Sequence, residues 1–155
     1  FQIYDKQQMW YDPSMSSFFV YMNGSSGSQG YAILLKITEN ANGSMTPSFV
    51  ETVNAKKKLF FVPMPGGNRR FCVIYDEKTG LYWQASNYLN SDNRIALYFS
   101  KNAYDWCFAG IVSEAEDENC SSPSITTDGD NLIIAISQSE KIVCYQIDNY
   151  GQLAY

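Results

Sequence analysis

The sequence predicts an all-β fold, specifically a β-propeller built from four-stranded antiparallel units. Hairpins of one pattern recur along the chain, a third apolar strand follows each hairpin, and polar corners follow two of these third strands. No segment has the apolar periodicity of a helix. The composition agrees, because 12 Tyr and 9 Phe with only 17% charged residues are typical of β-rich proteins.

The first element of each repeat is a hairpin that turns at an aspartate. The hairpins read WYDPSMSSFFVYM (10–22), IYDEKTGLYWQAS (74–86) and TTDGDNLIIAIS (126–137). The aspartates Asp12, Asp76 and Asp128 are 64 and 52 residues apart. An aspartate that begins a turn accepts hydrogen bonds from nearby backbone amides. We therefore expect these three carboxylates to be structural rather than catalytic.

A third strand and a polar corner complete each repeat. The third strands are predicted at 31–38, 94–100 and 141–147. TENANGSM (38–45) follows the first strand and SKNAYDW (100–106) follows the second. We expect Thr38 and Ser100 to occupy equivalent corners between the third and fourth strands, and Trp106 to be largely buried against its own sheet.

The repeats divide the chain into approximate blades 1–55, 56–115 and 116–155 of one partial propeller domain from a five- or six-bladed ring. A β-sandwich with chance similarity among its hairpins is the alternative. A propeller needs at least about four blades to close. We therefore expect apolar faces on the first and last blades, covered by further blades from the same longer chain or from a partner or homo-oligomer.

The corners resemble those of propeller glycosidases. Thr38, Asn40, Asn42, Ser44 and Met45 match positions of the sialidase Asp-box, with Asn in place of its Asp, and SKNAYDW is similar to the corner of arabinanase- and invertase-like five-bladed enzymes. From about residue 59 to residue 155 the chain resembles the C-terminal half of bacterial sialidase-like propellers. The resemblance implies a glycoside hydrolase, or a non-catalytic module that binds glycans or proteins.

One stretch departs from this resemblance. The bacterial group has an Arg-Ser-Gly-Asp stretch, followed by a His, where this chain has SQSEKIVCYQID (137–148), and the sequence contains no histidine. If that arginine pairs with substrate carboxylates, catalytic activity of this chain is in doubt.

The loops that enter each innermost strand, or join the second and third strands, face the channel of a propeller. These loops are predicted at 23–30, 66–71, 86–94, 120–124 and 137–141. Within them we expect carbohydrate to contact five residues. The candidates are Arg69 and Arg70 for carboxylates or hydroxyls, Tyr88 for stacking on a sugar ring, and the carboxylates Asp92 and Glu140. Arg69, Arg70 and Tyr88 are equally compatible with structural roles in their loops.

Composition excludes several other functions. The net charge is −5 and Lys56–Lys58 is the only basic run, so we expect no nucleic-acid or membrane partner. Without histidine or paired Cys-x-x-Cys spacing we expect no metal and no cofactor, and a Ser/His/Asp nucleophile is impossible. The four cysteines are expected to be reduced thiols, with Cys107 and Cys120 the pair to test for a disulfide.

Overall fold

The computed structural model describes residues 3–12, 15–24, 30–52, 54–89, 91–116 and 118–154, with the backbone alone at 3–7 and 23–24. Within these ranges the chain forms thirteen β-strands in three antiparallel sheets, followed by one short 3-10 helix. The all-β prediction is confirmed. No helix in the described part of the chain is long and apolar enough to cross a membrane.

The first sheet begins with four strands in chain order and is extended by two short strands. Its strands are β1 (Ile3–Asp12), β2 (Ser17–Gly24), β3 (Tyr31–Glu39), β4 (Met45–Glu51), β5 (Lys58–Leu59) and β6 (Phe61–Pro63). β5 pairs with the end of β4, whereas β6 pairs with the first residues of β3, where β4 does not reach. The two short strands return the chain to the start of the second sheet.

The second sheet contains four strands in simple up-and-down order. They are β7 (Phe71–Asp76), β8 (Leu81–Asn87), β9 (Arg94–Ser100) and β10 (Cys107–Glu114). β9 coincides with the third strand predicted from the sequence. Ser100 is the last residue of β9 and Thr38 is the next-to-last residue of β3, so both lie where the chain turns from the third strand to the fourth.

The third sheet has three strands among the described residues: β11 (Cys120–Asp128), β12 (Asn131–Gln138) and β13 (Lys141–Ile147). A 3-10 helix, Tyr150–Ala154, follows. The sequence pattern did not predict this helix. Tyr150 is buried in it and packs edge-on against Trp83 of the second sheet, with ring centroids 5.2 Å apart.

The second sheet is covered on both faces. One face packs on the first sheet through an aromatic cluster that includes Trp10, Tyr21 and Tyr82. The other face packs on the third sheet through an aliphatic cluster that includes Leu97 and Ile134. Strand side chains alternate between faces, and every residue of β8 is buried. This stack of three sheets is the arrangement of consecutive propeller blades.

The outer faces of the two end sheets differ. On the first sheet Met9 and Tyr11 are 64% and 47% exposed, and the ring centroids of Tyr11 and Phe18 lie 5.0 Å apart in a tilted contact. The outer face of the third sheet is mixed, because Thr126 and Gln146 flank Ile133 there, and Ile142 on the edge strand is 79% exposed. The expected apolar outer face is therefore present on the first sheet and only partial on the third.

The expectation for Trp106 is wrong in detail, whereas the expected reduced state of the cysteines is confirmed. Trp106 is half-buried and packs against the aromatic cluster between the first two sheets, because its corner lies over that interface. All four cysteines are free. Cys107 begins β10 beside Phe99, at the corner end of the second sheet, whereas Cys120 begins β11 beside Gln138, at the opposite end of the third, so these two thiols form no disulfide.

Candidate functional site

The candidate site lies at one end of the stack, which we call the loop end. Here β7 and β11 begin and β8 and β12 end. Most of the predicted loop 23–30 lies outside the described residues. The segment Cys120–Ser124 is part of β11 rather than a loop, but its pairing with β12 is interrupted between Ser121 and Ser124. A bulge of this kind redirects side chains next to functional sites.

Two glycines set the path of the chain into β7. Gly66 has a φ of +66°, and a Cβ on it would lie 2.7 Å from Ser86. A Cβ on Gly67 would lie 2.3 Å from the Tyr31 carbonyl oxygen of the first sheet. The Pro65 carbonyl beside them accepts hydrogen bonds from Gln84 and Ser86. Close packing of backbone therefore fixes the segment that carries the two arginines.

Arg69 and Asp92 form an ion pair. An Nη atom of Arg69 lies 2.7 Å from Asp92 Oδ1, and the side chains are 40% and 52% exposed. The pair joins the segment before β7 to the loop between β8 and β9. Exposed pairs contribute little to stability, so the main consequence is that the Arg69 charge is locally balanced. The Asp92 carbonyl also accepts the Cys120 amide at 2.6 Å, which ties the loop to the third sheet.

Arg70 reaches the third sheet. Its Nη1 donates to Ser122 Oγ at 2.6 Å, and Arg70 forms no ion pair with any residue that the structure describes. Ser122 sits at the bulge in β11 with a φ of +53°. A left-handed serine is strained, and such residues concentrate at functional sites. The sequence marked this segment as a loop but carried no signal that would pair Ser122 with an arginine 52 residues earlier.

Tyr88 and Glu140 occupy the sides of the loop end. The Tyr88 ring is half-buried and lies 5.6 Å from the ring of Phe108 on β10, the outermost strand of its sheet. This contact is that of a loop anchor, and stacking of Tyr88 on a sugar stays a prediction. Glu140 is exposed in the turn between β12 and β13 and forms no ion pair with a described residue.

Hydrogen bonds to backbone carbonyls link the second and third sheets at the loop end. The Asn87 side chain is buried and donates to the carbonyls of Ser91 and Cys120. The Ala115 amide donates to the Asn93 carbonyl at 2.9 Å. These bonds hold the segments that carry Asp92 and Ser122 in fixed positions relative to each other.

The hairpin aspartates lie at the opposite end, as their turn position predicted. Asp76 accepts the backbone amides of Lys78 and Thr79 and the hydroxyls of Thr79 and Tyr150. Burial pushes the pKa of Asp76 upward, but these hydrogen bonds outweigh burial and leave the pKa lowered. Asp12 similarly accepts the Met15 amide and the Tyr82 hydroxyl. These carboxylates hold turns and adjacent sheets together.

The chemistry available at the loop end is recognition by hydrogen bonds and charge. The part of the chain that the structure describes contains no cluster of three or more metal-ligating side chains. Arg70 offers guanidinium donors, and the carboxylates Asp92 and Glu140 offer acceptors. Sugar hydroxyls match both kinds of group.

Comparison with known proteins identifies the fold. No family model and no curated protein matches the sequence. Among solved structures, the chain resembles the α-L-arabinanase of Penicillium chrysogenum complexed with arabinobiose, with a TM-score of 0.62 and 13% identity over 94% of this chain. It also resembles an α-L-arabinofuranosidase from Fusarium graminearum in complex with an iminosugar inhibitor, with a TM-score of 0.58 and 14% identity over 96% of this chain.

This chain corresponds to less than half of each of these two structures. The chain spans 46% of the arabinanase and 45% of the arabinofuranosidase. Both neighbours are β-propeller hydrolases. The fold of this chain is therefore that of a partial β-propeller of antiparallel sheets.

Proposed function

We propose that this chain is part of a carbohydrate-active propeller, sialidase-like or glycosidase-like, that binds glycans at its loop end. The observation that carries the proposal is the likeness of 94% of the chain to a propeller hydrolase complexed with arabinobiose. The sequence resemblance to sialidase-like propellers, based on different residues, supports the same class of ligand. The arginines at the loop end give this class a specific means of recognition.

Arg70 is the main ligand-binding residue in this proposal. A guanidinium carries five N–H donors, and Ser122 accepts from one of them. The remaining donors are available to a sugar hydroxyl or, in a bidentate pair, to a sugar carboxylate. Arg69 and Asp92 form a paired donor and acceptor beside it. Tyr88 and Glu140 complete the proposed set at its sides.

Binding without turnover is the second candidate function. Glycoside hydrolysis ordinarily needs two carboxyl groups across the scissile bond. At the loop end Asp92 is paired with Arg69, while Asp12 and Asp76 are used in hairpins at the opposite end. The departure at residues 137–148 from the sialidase-like pattern favours the same alternative, a glycan- or protein-binding module.

Further blades are part of the proposal. The second sheet is covered on both faces, whereas the first sheet turns Met9 and Tyr11 outward. The third sheet ends at β13 with three strands among the described residues, although the second sheet has four. We expect additional blades, from the same longer polypeptide or from a partner or second copy, to cover the first sheet and complete the third.

A glycan array, together with fluorogenic sialoside and arabinoside substrates, tests the proposal on the full-length protein. We expect glycan binding that weakens in Arg70→Met. Arg94→Met is the matched control, because Arg94 is bound to Glu114 at the same end of the second sheet. Turnover of a glycoside indicates the hydrolase, and binding without turnover indicates the module. Glycan binding that is unchanged in Arg70→Met, or the absence of any glycan binding, contradicts the proposal.

A further inference from the structure

A half-exposed apolar surface lies on β10, the outer strand of the second sheet. Phe108 and Ile111 are 52% and 43% exposed. The register places them opposite Tyr98 and Ala96 of β9, which are two residues apart and therefore share a face. The Tyr88 ring packs beside Phe108, with ring centroids 5.6 Å apart. We call Tyr88, Phe108 and Ile111 the outer-strand surface.

The outer-strand surface is on the face of the second sheet that looks toward the first sheet. Tyr98 pairs with Gln84, and Gln84 shares its face of β8 with Tyr82, which contacts Trp10 of the first sheet. The backbones of these two sheets approach each other most closely at their inner strands, β1 and β7. Further blades would pack on the outer faces of the first and third sheets, so they would leave this surface open.

The outer-strand surface is separate from the arginines of the loop end. Arg70 lies just before β7, which is three strands from β10, or about 14 Å at the usual strand spacing. Its guanidinium turns toward Ser122 of the third sheet, whereas Phe108 is on the face toward the first. A ligand at Phe108 therefore does not need Arg70.

The two rings of this surface are held in position. The Tyr88 amide donates to the Arg94 carbonyl, and the Tyr88 carbonyl accepts the Ser91 amide, both at 3.0 Å. Phe108 packs edge-on against the buried Tyr98 at 5.7 Å. The Tyr88 hydroxyl has no hydrogen bond to a described residue. A ligand thus meets preformed apolar rings beside a free hydroxyl.

The edge of β10 is poorly suited to a peptide strand. The pairing of β10 with β9 shifts between Phe108 and Gly110 and again between Ile111 and Ser113. Two bulges twist an edge strand and interrupt the regular row of amides and carbonyls that strand addition needs. A ligand at this surface therefore has to bind through the side chains.

The charges on this face are balanced. Arg94 and Glu114 are the charged residues that β9 and β10 place there, and Arg94 Nε donates to Glu114 Oε1 at 2.8 Å. Apolar rings beside a phenolic hydroxyl suit a ligand that has an apolar face and neutral hydroxyl groups. A neutral sugar unit has both features, whereas an acidic ligand finds no unpaired cation on these two strands.

We propose that the outer-strand surface is a second saccharide-binding surface, for a neutral sugar unit that packs its C–H face on Phe108. Ile111 borders this contact, and the Tyr88 hydroxyl exchanges a hydrogen bond with a sugar hydroxyl. The class of ligand rests on the proposed function, but the contact itself needs no ligand at Arg70. The surface therefore adds affinity for a saccharide independently of the arginines.

Calorimetric titration of the full-length protein with arabinotriose, xylotriose and cellotriose tests this surface. We expect at least one trisaccharide to bind, and Phe108→Ala to weaken its affinity about tenfold, because the ring contact is lost. Phe108→Trp keeps a ring and should retain most of the affinity, whereas Phe108→Leu keeps only apolar bulk and should not. Leu153→Ala is the matched control, because Leu153 is 42% exposed in the 3-10 helix at the opposite end of the stack.

The Arg70→Met background separates this surface from the loop end. Phe108→Ala should weaken binding by the same factor in that background, because distant sites contribute independently. A failure of the loop-end function therefore leaves the Phe108 effect in place. Thermal melts check that each variant folds, which the half-exposed position of Phe108 favours.

Three results would overturn the proposal. The first is affinity that is unchanged by Phe108→Ala in both backgrounds. The second is a Phe108→Leu variant that binds as tightly as the unmodified protein, because the ring would then be unnecessary. The third is the absence of binding by all three trisaccharides, which is the result expected if the surface takes a peptide instead.

Discussion

The two interfaces within the stack of sheets are built from different side chains. Between the first and second sheets lie Trp10, Phe19, Tyr21 and Tyr82, and all of these except Phe19 carry a polar atom that needs a partner. Between the second and third sheets lie mainly Leu, Ile and Ala residues around Trp83. The indole nitrogens of Trp10 and Trp106 are buried in the aromatic cluster beside the Tyr82 and Tyr21 hydroxyls, without a well-formed hydrogen bond to a described residue. Burying such polar atoms without good hydrogen bonds costs free energy. We therefore expect the aliphatic interface to contribute more to the stability of the fold.

The largest expected effect lies at the aliphatic interface. Trp83 is 0% exposed and contacts Phe99 and Tyr150, so Trp83→Ala should lower the free energy of unfolding by about 3–5 kcal/mol. Trp106→Ala should cost less, because Trp106 is half-buried. Urea denaturation of both variants measures the difference. An equal or larger loss in Trp106→Ala would contradict this assignment of the two indoles.

Each of the two interfaces contains a hydrogen bond from a tyrosine to a hairpin aspartate, so their contributions to stability can be compared directly. Tyr150 donates to Asp76 at 2.7 Å in a buried contact, and Tyr82 donates to Asp12 at 2.8 Å in a partly buried one. Tyr150→Phe should lower the free energy of unfolding by about 1.5–3 kcal/mol, the usual contribution of a hydrogen bond to a charged group. Tyr82→Phe should cost less because water screens its bond. Thermal melts of the two variants test the order, and the reverse order is the contrary result.

The aromatic interface contains a neutral bond of the same kind. The buried Tyr21 hydroxyl donates to the Ala103 carbonyl across the interface, and Tyr21→Phe should cost about 1 kcal/mol. Tyr98→Phe is the control, because the hydroxyl of this buried residue has no hydrogen bond to a described residue. Equal stabilities of the two variants by denaturant titration would show that the Tyr21 hydrogen bond does not stabilise the corner.

The smallest effect is a dependence on pH. Hydrogen bonds keep the pKa of Asp76 in the folded chain below its unfolded value, which is near 3.9. The stability that Asp76 contributes is therefore present above that unfolded pKa and is lost as the pH falls through the folded pKa. Asp76→Asn should flatten this part of the stability curve in acid melts. A variant that loses stability in acid as steeply as the unmodified chain would contradict the assignment.

The sequence predicted the repeated elements because alternation and turn chemistry are local. The strands at 94–100 and 141–147 agree with β9 and β13, and the amide-accepting role of Asp76 follows from its turn. The short strands β5 and β6 and the 3-10 helix were missed because segments of two to five residues carry no measurable period.

The contacts between side chains at the candidate site were harder to predict from the sequence. Arg69, Arg70 and Asp92 were selected from the sequence, but the ion pair of Arg69 with Asp92 and the bond of Arg70 to Ser122 join separate elements. Such contacts depend on how the sheets stack. Similarly, Trp106 was expected on its own sheet, but it lies over the neighbouring interface because the corner projects there.

The most direct test of the fold is whether adjacent residues of β8 face different sheets. Tyr82 lies 5.8 Å from Trp10 of the first sheet, whereas Trp83 lies 5.2 Å from Tyr150, which follows the third sheet. Nuclear Overhauser spectroscopy of the labelled chain should show ring contacts Tyr82–Trp10 and Trp83–Tyr150, with none between Trp83 and Trp10. A two-layer β-sandwich has one core, so contacts of Trp83 with both Trp10 and Tyr150 would contradict the three-sheet stack.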